Sequence, residues 1–221
     1  MTRTARFSRE DAKRFYDRFG SKQDSQGYYE DAALDALIRH GRFDDAKSVL
    51  EVGCGTGKLA ARLLEHHLPT SASYLGIDIS ETMVDLAAER LRPWGARAMA
   101  VVSDGGFDFA GFERTFDRII FTYVFDLLSL DDIATALAGA HAVARPGGLL
   151  CAAGLTPGQG VLTRCASALW TLVHRVKPAL VGGCRPLVLA DRLDPSQWRV
   201  VHRQIVVSAL ISSEVLIAEA A

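Results

Sequence analysis

Seven consecutive residues, Glu51-Val52-Gly53-Cys54-Gly55-Thr56-Gly57, concentrate what a small-ligand site needs. The glycines let the backbone turn tightly and let a ligand lie against the main chain. An apolar run precedes them and a helical pattern follows. The first N–H groups of that helix, with their partial positive charge, therefore point back at the ligand. The spacing is G-x-G-x-G, not the G-x-G-x-x-G of a dinucleotide loop, and an acid stands before it. A carboxylate in that place repels a pyrophosphate and holds an ammonium.

Two further acids fall at the ends of the next apolar runs. Asp78 lies about twenty residues past Gly57, the interval at which such folds set an acid on ribose hydroxyls. A carboxylate suits that task because it accepts from both vicinal hydroxyls. Asp104 follows Val101-Val102-Ser103 and can accept from an exocyclic amine, while the N–H of Gly105 can serve a ring nitrogen. A nucleoside joined to an ammonium-bearing tail meets all three demands, and S-adenosylmethionine is such a ligand. No obligatory base is needed to move its sulfonium methyl, since positioning and desolvation supply most of the rate. Where a base is used, the candidates are Tyr123, Asp126 and His174. A histidine on a mostly apolar helix has a structural role as its alternative reading.

The elements that must position these groups alternate. Helical patterns are expected over Ser8–Phe19, Tyr28–His40, Lys58–His67, Glu81–Leu91 and Asp131–Ala144. Strands are expected over Ser48–Val52, Tyr74–Ile79, Ala98–Val102, Phe116–Thr122 and Leu149–Ala153. Ser80 is placed to cap the helix that follows it, and Arg145-Pro146-Gly147-Gly148 reads as the turn before the fifth strand. Alternation of this kind means βαβ units, a parallel sheet and right-handed crossovers. Trp198–Val207 and Val215–Glu219 break the rhythm and read as an antiparallel hairpin at the sheet edge. The fold class expected is α/β.

Bulk properties agree. The chain has 221 residues, 49% of them hydrophobic, and a formal net charge of -1. This suits one α/β domain with a sizeable core and argues against disorder and against an electrostatic drive toward nucleic acid. There is no apolar run of transmembrane length, and Met1–Phe19 lacks the apolar centre of a signal peptide, so a cytoplasmic location is expected. Cys54, Cys151, Cys165 and Cys184 form no C-x-x-C pair and have no histidine at zinc-ligand spacing. They read as buried or half-buried free thiols, with no metal site.

Taken together, Val49–Gly57, Leu75-Gly76-Ile77-Asp78-Ile79-Ser80, Asp104, Phe116-Asp117-Arg118-Ile119-Ile120 and Arg145-Pro146-Gly147-Gly148-Leu149-Leu150 resemble the successive motifs of class I S-adenosylmethionine-dependent methyltransferases. The branch most similar is the small-molecule one, acting on quinones and lipids. The resemblance covers about Val49 to Ala153. It implies a Rossmann-like, mostly parallel seven-stranded sheet with an antiparallel insertion near its end. It implies S-adenosylmethionine as cofactor and S-adenosylhomocysteine as product. By it, Glu51, Gly53, Cys54, Gly55 and Gly57 hold the methionine half, Asp78 and Ile79 the ribose, and Met83 packs on the cofactor. Ser103, Asp104 and Gly105 frame the adenine, and Thr122 and Tyr123 lie below the methyl group. Tyr16 resembles the N-terminal aromatic that covers the cofactor in quinone-type C-methyltransferases.

The acceptor side reads differently. Thr122-Tyr123-Val124-Phe125-Asp126-Leu127 lacks the Asn/Asp-Pro-Pro-aromatic run of enzymes that methylate nucleobase or glutamine amines, which disfavours nucleic acid. The stretch from Thr156 to Pro186 holds Arg164, Arg175, Lys177 and Arg185 but no acid. With a helix over Val161–Val176 it is expected to be a lid over a hydrophobic, anionic acceptor, or a basic amphipathic helix resting on a membrane surface. The alternative is a helix packed into the core. The organisation expected is a helical cap over residues 1–47, a cofactor core over 48–155, a lid over 156–186 and C-terminal strands over 187–221. A nicotinamide-dependent reductase is excluded by the glycine spacing and by the lack of any tyrosine with a lysine four residues on. A silent, cofactor-binding scaffold or partner subunit remains the rival from another class.

Overall fold

The structure, a computed structural model, describes residues 13, 14, 17, 27–107, 109, 111, 112 and 115–221. From Gly27 onward, short apolar runs become strands and amphipathic runs become helices in the order expected; the helix expected over Ser8–Phe19 lies largely outside the described residues. Helix α1 spans Gly27–His40. Strand β1 (Ser48–Val52) leads into α2 (Lys58–His66), β2 (Ser73–Asp78) into α3 (Glu81–Leu91), and β3 (Ala98–Val102) follows. After β4 (Phe116–Thr122) come α4 (Leu130–Val143), β5 (Ala144–Leu155), α5 (Val161–Val176), β6 (Trp198–Ser208) and β7 (Ile211–Ala220). Ser80 caps α3 by accepting the N–H of Met83 at 3.2 Å, and Ser129 caps α4 through Asp132 at 3.1 Å.

All seven strands form one sheet in the order β3-β2-β1-β4-β5-β7-β6. Neighbours from β3 through β5 are parallel; β7 runs antiparallel to both β5 and β6. β1 is buried at every position because it is central and covered on both faces. Alternate residues of β4 feed the two faces. Ile119 and Phe121 join the core under α4, whose Ile133, Ala136, Leu137 and Ala140 face inward. Ile120 joins Val49, Leu63 and Leu37 on the other side. Helix α1 lies against β5, β6 and β7. The strand order reverses between β1 and β4, and that reversal opens the crevice at their carboxyl ends where ligands bind in open α/β sheets.

Two strand starts and the shelter of one thiol differ from expectation. β5 begins at Ala144, so Arg145-Pro146-Gly147-Gly148 belongs to the strand as an irregular stretch where the β4 register shifts between Phe116 and Arg118. β7 begins at Ile211, not Val215, because the hairpin closes in only two residues. Ser208 pairs with Ile211, and Ala209 and Leu210 both take left-handed φ, 49° and 66°. Cys165 lies exposed on α5, so the thiols are not all sheltered, although all four cysteines are free.

Candidate functional site

At the end of β1 the chain turns through Gly53, Gly55 and Gly57 at φ of 73°, 52° and 72°, which only glycine adopts cheaply. The loop is stitched to the end of β2. The N–H groups of Gly53 and Cys54 both donate to the carbonyl of Ile77, at 2.8 and 3.1 Å. Gly55 N–H donates to Asp78 Oδ2 at 2.9 Å, and Ser80 N–H donates to Asp78 Oδ1 at 2.9 Å. One carboxylate thus fixes the loop and the start of α3 together, and each oxygen keeps a further lone pair for a hydroxyl. Ser103 N–H donates to the carbonyl of Asp78, which brings the end of β3 alongside. A Cβ at Gly53 would stand 2.4 Å from Val124 Cγ2, so the loop after β4 seats directly on the bend.

The charges gathered here want a cation. Glu51 is buried, and the Tyr74 hydroxyl donates to it at 2.6 Å. Burial pushes its carboxyl up to about 8, with the charge of Asp78 adding to the effect and the Tyr74 hydrogen bond opposing it. Burial also raises Asp78, against the pull of three backbone N–H donors, and raises the Cys54 thiol. An ammonium beside Glu51 would repay the cost of ionising it.

Farther along the edge, Met83 is buried and Ile79 half-buried beside Asp78. Asp104 is exposed and accepts Gly106 N–H at 2.7 Å. Gly105 N–H donates to Ser103 Oγ at 2.9 Å, so its sequence-expected ring-nitrogen partner would have to share it. Tyr16 lies outside the described residues. Its neighbour Asp17 accepts the Ser80 hydroxyl proton at 2.6 Å, and Lys13 pairs with Glu81 at 3.0 Å. These two contacts place Lys13 and Asp17 beside the start of α3. Asp17 has no motif around it, and only tertiary contact reveals it.

At the ends of β4 and β5, Thr122 closes β4 and Tyr123 takes a left-handed φ of 56°. Its N–H donates to the Ala153 carbonyl at 2.7 Å, and its hydroxyl meets Ser213 Oγ at 2.9 Å. Burial holds its phenol above the ordinary tyrosine range. A non-glycine residue in this conformation is held there by its surroundings, a pattern that gathers at functional sites. Asp126 is as buried as Glu51 and accepts Leu155 N–H at 2.8 Å. Burial pushes it up to about 8 against the pulls of that N–H and of Arg185. A Cβ at Gly154 would come within 2.6 Å of its Oδ1. Its carboxyl therefore fastens β5. Its backbone carbonyl accepts Arg185 N–H at 3.0 Å, and the Arg185 guanidinium donates to the Leu128 carbonyl at 2.6 Å.

His174 meets the Gly183 carbonyl at 3.0 Å, and burial lowers its pKa. Tyr123 and Asp126 thus face one region, while His174 braces the segment after α5. Glu30 of α1 joins the first two: its charge raises Tyr123, Asp126 and the Cys184 thiol. Sequence reading passed over Glu30 and Ser213, since each reaches the site from a distant part of the chain, and named Arg185 only as one cation of the expected lid. Helix α5 has no buried residue, which overturns the core-packed alternative for it.

Residues 49–148 match the family profile of a methyltransferase domain. Among curated proteins, a highly reducing polyketide synthase of Phaeosphaeria nodorum is 29% identical over 161 residues, 71% of this chain and 5% of that protein. The chain thus spans a small fraction of that relative's length. Among solved structures, the N-methyltransferase NodS of Bradyrhizobium japonicum WM9, in complex with S-adenosylhomocysteine, superposes at TM-score 0.71 with 17% identity, covering 95% of this chain and 98% of that one. The magnesium protoporphyrin IX methyltransferase of Synechocystis PCC 6803, also with bound S-adenosylhomocysteine, gives 0.61 at 18% identity over 93% and 86%. The [4+2]-cyclase SpnF gives 0.64 at 16% identity over 85% and 80%. The last shows that the architecture hosts more than one chemistry.

Proposed function

We propose that this chain, which carries a methyltransferase domain on the class I methyltransferase fold, transfers a methyl group from S-adenosylmethionine to a small, hydrophobic organic acceptor. The observation that carries the reading is the acid-lined bend: Glu51 buried and charge-coupled to Asp78, which holds Gly55 and Ser80, around a left-handed glycine turn. The site's donor set fits that cofactor. Glu51 and the loop would take the methionine ammonium end. Asp78 with Ile79 would take the ribose, and Met83, Ser103, Asp104 and Gly105 the adenine. When bound, the sulfonium supplies an electrophilic methyl group.

The chain's own part is to place and to dry. Tyr123, fixed by Ala153 and Ser213, sets the floor where the acceptor approaches. Asp126 and Arg185 hold the ends of β4 and β5 against the segment after α5. Water excluded by these contacts strengthens every charge interaction inside. Glu30, whose charge acts on both Tyr123 and Asp126, is an acid suited to receive a proton from an acceptor hydroxyl or amine. The acceptor is read as a small molecule and not a nucleic acid, supported by the near-neutral charge and by the missing Asn/Asp-Pro-Pro run.

Calorimetry tests the first step. S-adenosylmethionine and S-adenosylhomocysteine should both bind, and a nicotinamide dinucleotide should not. A methyl-transfer screen over quinones, phenols, amines, carboxylates and lipids tests the second. Cofactor binding with no transfer to any of them would favour a silent scaffold, and failure to bind would overturn the reading altogether.

A further inference from the structure

Helix α5 is built inside out. Val161, Leu162, Leu169, Leu172 and Val176 are each between 57% and 78% exposed and fall on one side of the helix, with Cys165 in their midst. The polar side chains turn toward the protein instead. Ser167 Oγ accepts Gly158 N–H at 2.9 Å, His174 meets the Gly183 carbonyl at 3.0 Å, and Trp170 Nε1 donates to the Cys184 carbonyl at 3.0 Å. A helix lying on a protein core would show the reverse. The turn after it adds Leu180, 68% exposed, to the same apolar surface.

Its charges run one way. Between Asp132 and Asp191 the chain has no acid. Arg164 and Arg175 border the apolar stripe and Lys177 follows its end. Among the described residues, none of the three forms an ion pair. A second copy of the chain, docked by two-fold symmetry, would set these cations against their own counterparts. An anionic lipid surface answers both features at once: apolar depth for the leucines and headgroup charge for the cations. Among the described residues no helix is long and apolar enough to cross a membrane, so α5 is suited to lie in the surface and not to span it.

We propose that α5 docks the protein on an anionic bilayer, with its exposed leucine and valine stripe sunk among the headgroups. Its inner face meets Cys184, next to Arg185 and Asp126, so docking sets the acceptor side of the site against the membrane. The acceptor is then a molecule dissolved in that membrane. This last clause rests on the methyl-transfer reading; the docking does not.

The test uses the full chain labelled at Cys165 with an environment-sensitive fluorophore, mixed with phosphatidylcholine vesicles with or without phosphatidylglycerol. With the anionic lipid, emission should shift to the blue and the protein should float with the vesicles; with phosphatidylcholine alone, neither should happen. Combined Leu162→Ser, Leu169→Ser, Leu172→Ser and Val176→Ser should weaken binding at least tenfold. Combined Arg164→Gln, Arg175→Gln and Lys177→Gln should weaken it roughly a hundredfold at low salt, at about one headgroup interaction per cation. Both variants should keep the wild-type melting temperature, because no altered residue is buried. Three results would overturn the proposal: no binding to anionic vesicles, binding unchanged in both variants, or a solution dimer that the serine variant dissolves. Vesicle binding without cofactor binding would leave it standing and remove the methyl-transfer reading instead.

Discussion

At the carboxyl ends of β1 and β2, polar groups are satisfied within about thirty residues of chain: Ile77 takes two loop amides, and Asp78 takes a third along with its own helix start. At the ends of β4 and β5 the partners come from far away. Tyr123 meets Ser213, 90 residues away in the chain, and the carbonyl of Asp126 accepts from Arg185, beyond helix α5. The first region is a local device, dictated by glycine conformation and a few acids. The second is a tertiary device, in which each piece depends on others folding around it. A shared cofactor half and a private acceptor half would be built in this way, since a change of acceptor then leaves the bend untouched.

The sharpest way to break this contrast lies inside the bend. Gly53→Ala sets a methyl group against Val124 at a left-handed φ and should cost about 3 kcal/mol of stability and most cofactor affinity. Gly55→Ala, with open space around its Cβ, should cost only about 1 kcal/mol. Thermal melts and calorimetry on the pair decide the matter. Equal losses would show that the seat on Val124 is not what makes the bend rigid.

Next comes Glu51→Gln. Its carboxyl titrates at about 8 in the folded protein, and a neighbouring ammonium favours the ionised form. Cofactor binding near neutral pH should therefore release protons, and affinity should climb as pH rises toward 8. The glutamine variant should bind at least tenfold more weakly at pH 8 and release none, as read by calorimetry in buffers of different ionisation enthalpy. Stability follows the opposite course. The folded protein holds protons on Glu51 and Asp126 that the unfolded chain gives up near pH 4, so the contribution of these two groups to stability is full below that and is lost as pH rises to about 8. Urea melts from pH 5 to 8.5 should show this decline, shallower in Glu51→Gln.

The acceptor half predicts a coupled, smaller effect. Tyr123→Phe and Ser213→Ala should each cost about 1 kcal/mol, and the double variant little more than either alone. Additive losses would mean the two hydroxyls do not act as a pair. Smallest and opposite in sign, Ala209→Asn with Leu210→Gly should raise stability by about 0.5 kcal/mol and leave cofactor binding alone, because it suits the turn to its left-handed backbone.

The same contrast explains how much could be read from residue order. Glu51 to Gly57, Asp78 and the edges of β1, β3 and β4 were legible because their signals are short-range. Asp17 and Glu30 were not, since a helix pattern does not say which distant loop its acids will meet. The hairpin turn at Ala209-Leu210 carries neither asparagine nor glycine, so β7 read four residues short. The amphipathic period of α5 was plain in the sequence. Which of its faces points outward was not, because periodicity fixes an axis and leaves its direction to the surroundings.

β7 follows every other strand in the chain yet lies between two of them. While the ribosome is still making Thr156 to Leu210, β5 waits with an unpaired rim, and β6 emerges with nothing to lie against. Such rims invite pairing with neighbouring nascent chains. A polypeptide cut short before Ile211 would not be a shortened domain but one with its sheet split open, and quality control would meet it as an aggregation hazard.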